Sequence, residues 1–215
     1  MSSDTLSPTS QLSTVFIVDD DASFLNSLAR FLRAAGYRVE TFGSARAFLN
    51  HLSPEQMGCV VTDLQMPDLN GLELQAALSN NPNPLPVIFL TGQGDIPTTV
   101  RAMRKGAEDF LTKLTPKEEL LAAVQRALAR AEQERSQRER LRELRRLFAT
   151  LSERELEVLG HVVLGKLNKQ IAADLGINER TVKLHRTAIT RKLGLHSVAE
   201  LTRVSAEAGI FPTAG

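Results

Sequence analysis

The stretch Cys59-Val60-Val61-Thr62-Asp63-Leu64-Gln65-Met66-Pro67-Asp68-Leu69-Asn70-Gly71 decides the fold. Its apolar, β-branched opening ends in an aspartate and then in turn residues. Short apolar runs bounded in this way read as strands buried on both faces of a parallel sheet. In open α/β sheets chemistry gathers just beyond the carboxyl ends of the strands. Asp63 stands at such an end and is the first candidate for a reactive group. A solvated turn aspartate that caps the next helix is the plainer reading, and this stretch alone does not separate the two.

Upstream, Val15-Phe16-Ile17-Val18 is a second apolar run, and it ends in Asp19, Asp20 and Asp21. A helical pattern follows, with Phe24, Leu25, Leu28, Phe31 and Leu32 on one face and a stop at Gly36. Tyr37 to Thr41 reads as a strand and Ala45 to Leu52 as a short helix. Downstream of Asp63 come a helix over Leu72–Leu78 and then Val87-Ile88-Phe89-Leu90, a strand ending in Thr91. A helix over Ile96–Arg104 and a last strand, Asp109-Phe110-Leu111-Thr112 ending in Lys113, complete the pattern. Thr115, Pro116 and Glu118 suit the N-cap, first position and capping-box partner of the next helix. Five strands alternating with helices predict a doubly wound α/β fold with a five-stranded parallel sheet. With strand order 2-1-3-4-5, the switch point brings Asp19 and Asp20 beside Asp63.

Composition divides the chain further. Residues 1–128 carry a net charge of −4, residues 129–150 carry +3 and residues 151–215 carry +2. An acidic front and a basic rear suit a metal- or phosphoryl-handling domain joined to a nucleic-acid binder. The single cysteine, Cys59, sits in the buried strand and is expected to be inert packing. No run approaches the roughly 18 apolar residues of a membrane span, so a cytoplasmic protein that engages no membrane is expected. Residues 1–14, rich in Ser and Thr, are expected to be disordered.

From Lys117 to about Phe148 there is neither Gly nor Pro, and strong helix formers dominate. Leu120, Leu121, Val124 and Leu128 suit packing on the sheet. Residues 132–140 hold nothing apolar, so residues 129–148 read as a long helical linker: a solvated spacer is the plainer reading, and a parallel coiled-coil contact between two chains the sharper one. Residues 149–215 form a separate all-α domain. Ser152 and Glu155 make a capping box. Helices are expected to about Gly165, over Asn168–Leu175, over Glu179–Leu193 and from about Val198 to Ala208. Gly176-Ile177-Asn178 is a tight helix-turn-helix connection. In the third of these helices Val182, Ile189 and Leu193 face the core, while Arg180, Lys183, Leu184, Thr187 and Arg191 lie opposite. A basic and small-polar stripe of that kind suits the major groove of double-stranded DNA. An ordinary solvated amphipathic helix has the same period.

The carboxylates at the strand ends repel one another and call for a hard cation such as Mg²⁺. A carboxylate beside Mg²⁺ can attack a phosphoryl group, with Lys113 and the Thr91 hydroxyl on the transferred oxygens. The Asp19-Asp20 pair, Asp63-x-x-Met66-Pro67 with Gly71, Thr91, Phe110 and Lys113 resemble the receiver domain of two-component response regulators, a flavodoxin-like fold. That resemblance implies that Asp63 is the phosphoacceptor, Asp20 the main Mg²⁺ ligand, Asp19 a support through water and the Gln65 main-chain carbonyl a further ligand. It also makes Thr91 and Phe110 a coupled switch pair. One position departs from the pattern: Leu114 follows Lys113 where the family has a proline with a cis bond. The non-proline bond is expected to be trans or strained, since cis costs about 2.5–4 kcal/mol there.

Leu151-Ser152-x-Arg154-Glu155, Asn168-Lys169-x-Ile171-Ala172, Leu175-Gly176-Ile177 and Thr181-Val182-Lys183-x-His185 resemble the LuxR-type DNA-binding domain. The two together are similar to the NarL/FixJ-type regulators. The resemblance implies a partner histidine kinase, a homodimer on phosphorylation, contact with RNA polymerase and no enzymatic role beyond the receiver's own phosphoryl chemistry. Lys183, Leu184 and Thr187 are expected at base edges, and Asn168, Lys169, Thr181 and Arg191 at phosphates, with Arg180 on the same face. The alternative is a transcription factor whose receiver is a phosphorylation-independent dimerisation module. An aspartyl phosphatase is disfavoured because the nucleophile candidate ends the third strand and lacks a second acid two residues on.

Overall fold

The computed structural model describes residues 13–53, 55–92 and 96–211. The chain divides into two compact units, Met1–Arg135 and Ser136–Gly215. The leader expected to be disordered falls outside the described residues except for its last two. Thr14 belongs instead to the first strand, and Ser13 is buried beside it.

In the first unit β1 (Thr14–Val18), α1 (Ala22–Ala34), β2 (Arg38–Phe42), α2 (Ala45–His51) and β3 (Gly58–Thr62) follow one another. Then come α3 (Gly71–Ser79), β4 (Val87–Thr91), α4 (Ile96–Arg104), β5 (Asp109–Thr112) and α5 (Lys117–Phe148), whose last turns lie in the second unit. All strands are parallel, in the order β2-β1-β3-β4-β5. The two-residue period of the strands sorts the core into two layers. Val15, Ile17, Cys59, Val61, Ile88 and Leu90 face Leu28, Leu32, Leu120, Val124 and Leu128 of α1 and α5. Phe16, Val18, Val60, Val87 and Phe89 face Phe48, Leu74, Leu78 and Ala102 of α2, α3 and α4. Each such side chain contributes roughly 1.5–3 kcal/mol by leaving water. α4 is the exception, since only its Thr98 and Ala102 are buried.

The start of α5 differs from expectation. The helix begins at Lys117, and the Thr115 hydroxyl accepts the backbone N–H of Thr112 at 3.1 Å. Thr115 therefore closes the turn before the helix and does not cap it. α3 is capped by Asn70, whose side chain and that of Glu73 satisfy each other's backbone N–H groups. Asp63 is thus released from any capping duty.

The second unit holds α6 (Glu153–Val163), α7 (Asn168–Leu175), α8 (Glu179–Leu193) and α9 (Val198–Glu207). Gly176 ends α7 in the left-handed conformation, and Asn178 caps α8 by accepting the Thr181 N–H at 2.8 Å. Val158, Leu159, Ile171, Val182, Ile189, Leu193 and Leu201 form the core. Phe148, only 2% exposed, belongs to it, with Leu144 and Leu147 packed alongside, and Arg140 pairs with Glu207 of α9. The last turns of the expected linker are therefore part of this domain, and a boundary at 149 cuts through its core.

Candidate functional site

Asp63 follows β3 and Asp19 follows β1; Asp63 N–H donates to Val18 O at 3.0 Å, which fixes the two strand ends side by side. Asp63 Oδ1 accepts the N–H groups of Leu64 (2.5 Å) and Gln65 (3.3 Å), so the carboxylate is aimed by its own turn. The turn closes because Gly71 N–H donates to Leu64 O at 2.9 Å. A Cβ on Gly71 would lie 2.4 Å from Asp63 O and 2.9 Å from Phe89 Cε1, so no other residue fits there.

Lys113 Nζ lies 2.9 Å from Asp63 Oδ2 and 2.7 Å from Asp19 Oδ2, and 4.4 Å above the Phe24 ring. Burial, which favours the neutral amine, is outweighed by the hydrogen bonds that the ammonium donates to the two carboxylates, so the Lys113 pKa is raised and the ammonium is held charged. Asp19 is 2% exposed, and burial raises its pKa despite the Lys113 hydrogen bond. The Lys113–Leu114 bond is trans, as every peptide bond among the described residues is. With Leu114 after it, the lysine still reaches both acids.

Oxygens of Asp19, Asp20 and Asp63 lie within 4.8 Å of one another. Three carboxylates face one ammonium, which leaves two negative charges unmatched, the charge of a divalent cation. Asp20 is exposed and makes no hydrogen bond or ion pair among the described residues. An all-oxygen set of this kind suits a hard ion that keeps part of its water. Gln65 reaches the pocket through its N–H, as above. Among the described residues His51, His161 and His196 contribute to no such cluster, and burial pushes the Cys59 thiol up out of its reactive range.

Thr91, 1% exposed, ends β4, and its carbonyl accepts the Lys113 N–H at 2.8 Å. Phe110 is paired in register with Phe89, two residues before Thr91, so Phe110 and Thr91 share one face of the sheet. The Phe110 ring is half-buried, 5.7 Å from that of Phe89.

In the second unit α8 sorts as its period predicts. Val182, Ile189 and Leu193 are buried; Arg180, Lys183, Leu184, Thr187 and Arg191 are exposed, Leu184 to 64%. Lys169, on α7, is exposed as well. Two expected phosphate contacts are already engaged. The Thr181 hydroxyl donates to Asn178 Oδ1 at 3.0 Å, and Asn168 Oδ1 accepts from Arg186 Nη1 at 2.9 Å. Sequence reasoning passed over Arg186 and Lys192. Lys192 Nζ lies 2.6 Å from the buried Glu155 and 3.0 Å from Thr150 O, tying the end of α8 to the start of α6. No periodic signal marks a pair 37 residues apart.

Comparison with known proteins agrees with both halves. The family model described as response regulator receiver domain matches residues 15–125, and that of the bacterial regulatory proteins of the luxR family matches residues 149–205. The response regulator protein TodT of Pseudomonas putida is 44% identical over 193 residues, which are 90% of this chain and 85% of that protein. The transcriptional regulatory protein FixJ of Azorhizobium caulinodans is 40% identical over 198 residues, 92% of this chain and 94% of the other. Among solved structures, the response regulator StyR is 45% identical with a TM-score of 0.83, covering 91% of this chain and 98% of its own.

Proposed function

This chain belongs to the response regulators, joining a receiver domain to a LuxR-type DNA-binding domain, and on that premise we propose that Asp63 is its phosphoacceptor. It is a transcriptional regulator of the two-component kind, not an enzyme that turns over an external substrate. A histidine kinase is the implied phosphoryl donor and DNA the implied target. We draw the receiver as residues 15–128 and begin the DNA-binding unit at Ser136, because Phe148 lies in its core.

The observation that supports the reading best is the Asp63–Lys113–Asp19 triangle, with Asp20 open beside it. Asp63 Oδ2, which faces Lys113 while Oδ1 is held by its own turn, attacks phosphorus; the P–N bond of the donor phosphohistidine breaks, and its electron pair returns to the imidazole. Lys113 then shifts from the carboxylates onto the phosphoryl oxygens, and the Thr91 hydroxyl turns toward them. Asp20, Asp19, Asp63 and the Gln65 carbonyl would hold Mg²⁺, which when bound supplies charge neutralisation for those oxygens. Autodephosphorylation reverses the acyl phosphate by attack of water at the same phosphorus.

Thr91 and Phe110 carry the signal across the β4–β5 face to α4. Ile96, Val100 and Met103 repeat along α4 at 81%, 42% and 43% exposure, an apolar stripe suited to a second receiver. Pairing there raises the effective concentration of two DNA-binding units on a repeated site, where RNA polymerase is engaged. The α8 stripe of Lys183, Leu184 and Thr187 meets base edges, with Lys169, Arg180 and Arg191 at the backbone. Asn168 is added to the backbone set through its NH₂ group, and Thr181 by turning its hydroxyl proton from Asn178 to a phosphate oxygen.

Acetyl phosphate labelling followed by intact-mass measurement tests the acceptor. The parent gains one phosphoryl group only with Mg²⁺ present, and the labelled form shifts toward dimer in light scattering. Asp63→Asn gains none. Equal labelling of Asp63→Asn and parent would end the assignment, and labelling without dimer would leave the receiver as something other than a pairing device.

A further inference from the structure

Arg186 lies on α8, yet it is not on the exposed stripe. Its guanidinium is half-buried, and Nη1 donates to Asn168 Oδ1 at 2.9 Å, joining α8 to the first residue of α7 across 18 positions. A guanidinium can only donate, so the oxygen of the Asn168 amide must face Arg186 and its NH₂ group must face away. Both side chains line a groove of about 610 Å³ together with Lys166, Lys183 and Thr187. Lys166 is neutralised by Asp174 at 2.7 Å. Arg186 has no carboxylate within ion-pair distance among the described residues, so a charged group has been spent on orienting a neutral one.

We propose that Arg186 is a positioning residue for DNA binding: it fixes the Asn168 amide with its NH₂ group presented to a DNA phosphate in the α7–α8 groove. This rests on the DNA-binding reading above and assigns one seat within it. Reading of a base by Arg186 is disfavoured by its half-burial and its engaged arm, while the Lys183 ammonium nearby is exposed and makes no hydrogen bond or ion pair among the described residues. The consequence is specific. A neutral amide on a phosphate displaces no counterion, whereas an arginine on a phosphate displaces about one. Asn168 and Arg186 then act as a single contact, because removing either leaves the other without its function.

The test measures binding of the full chain to a random-sequence duplex between about 50 and 200 mM salt. Parent, Asn168→Ala, Arg186→Ala, the double variant and Asn168→Asp are compared, with thermal melts of each. Asn168→Ala and Arg186→Ala should each weaken binding roughly tenfold, as loss of one hydrogen bond to a charged group does. The double variant should be no weaker than either, and the salt slope should stay that of the parent. Asn168→Asp keeps a partner for Arg186 but turns a carboxylate oxygen toward the phosphate, so it should bind more weakly than Asn168→Ala while melting like the parent. That arm reads the geometry even if Arg186→Ala lowers the melting point. A slope reduced by about 0.9 in Arg186→Ala with multiplying losses would make Arg186 itself the phosphate contact, and unchanged binding would remove it from the interface; either overturns the proposal. A parent with no salt-dependent binding would instead overturn the DNA-binding reading.

Discussion

In the first unit the groups proposed to carry chemistry come from the ends of three strands and meet around one lysine nitrogen, with the Asp19 and Asp63 carboxylates within 3 Å of it. In the second unit the groups proposed to carry recognition are spread over the exposed side of α8 and the first turn of α7. The pocket is built on backbone that has no freedom: β1 and β3 are in register, and the turn after Asp63 is closed over a glycine. The helix face is built on side chains that rotate in water. A concentrated site should respond to one atom in the wrong place, and a distributed one should lose function in portions.

Gly71→Ala probes the concentrated site most harshly. The added methyl group meets the Asp63 carbonyl and the Phe89 ring, neither of which can yield without moving β3 or the core. Overpacking of this kind costs about 1–3 kcal/mol or more. The receiver melting transition should fall and acetyl phosphate labelling should drop far below the parent, while binding to random-sequence DNA is kept. Full labelling by Gly71→Ala would mean that the pocket has slack and that the contrast between the two sites is overdrawn.

The distributed site should answer in smaller steps. Lys183→Ala should cost about 1–3 kcal/mol on a sequence selected from a random pool and much less on the unselected pool. Lys169→Ala should weaken all sequences alike and flatten the salt slope by about 1. Equal losses from Lys183→Ala on selected and unselected DNA would move Lys183 to the backbone set.

The two sites were also legible to different degrees. Apolar runs that end on Asp19, Asp63, Thr91 and Lys113 place those residues at strand ends, and the parallel topology then brings them together. Nearly the whole pocket could be read this way. The faces of α8 followed from its period. What escaped were pairings fixed by how helices pack: Arg186 with Asn168, Lys192 with Glu155, and Phe148 with the core of the second unit. Helical period assigns a residue to a side, not to a neighbour on another helix. Thr115 was misread because a Thr-Pro start suits a helix cap and a preceding turn equally well. The Asn70–Glu73 box, in contrast, has the sequence spacing of a capping box and was open to reading.

The smallest effect concerns a place where the second unit is built like the first. Glu155 is 6% exposed, completes the Ser152 capping box and receives Lys192 at 2.6 Å. The hydrogen bond from Lys192, helped by the backbone of Ser152, holds its carboxyl below the usual glutamate range. A group whose pKa is depressed by folding adds stability above its unfolded pKa of about 4.3 and loses it as pH falls through the folded value. Glu155→Gln removes the charge but keeps the size and one acceptor. The second unit should therefore be about 1 kcal/mol less stable in the variant at pH 7. The gap should hold above the unfolded glutamate range and close as the pH falls through the lower, folded value, where Glu155 in the parent becomes protonated too. Denaturant unfolding of the Ser136–Gly215 fragment across that range measures it. A gap of the same size at pH 3 would show that the pair acts through packing and not through charge. The second unit would then hold no site of the first kind.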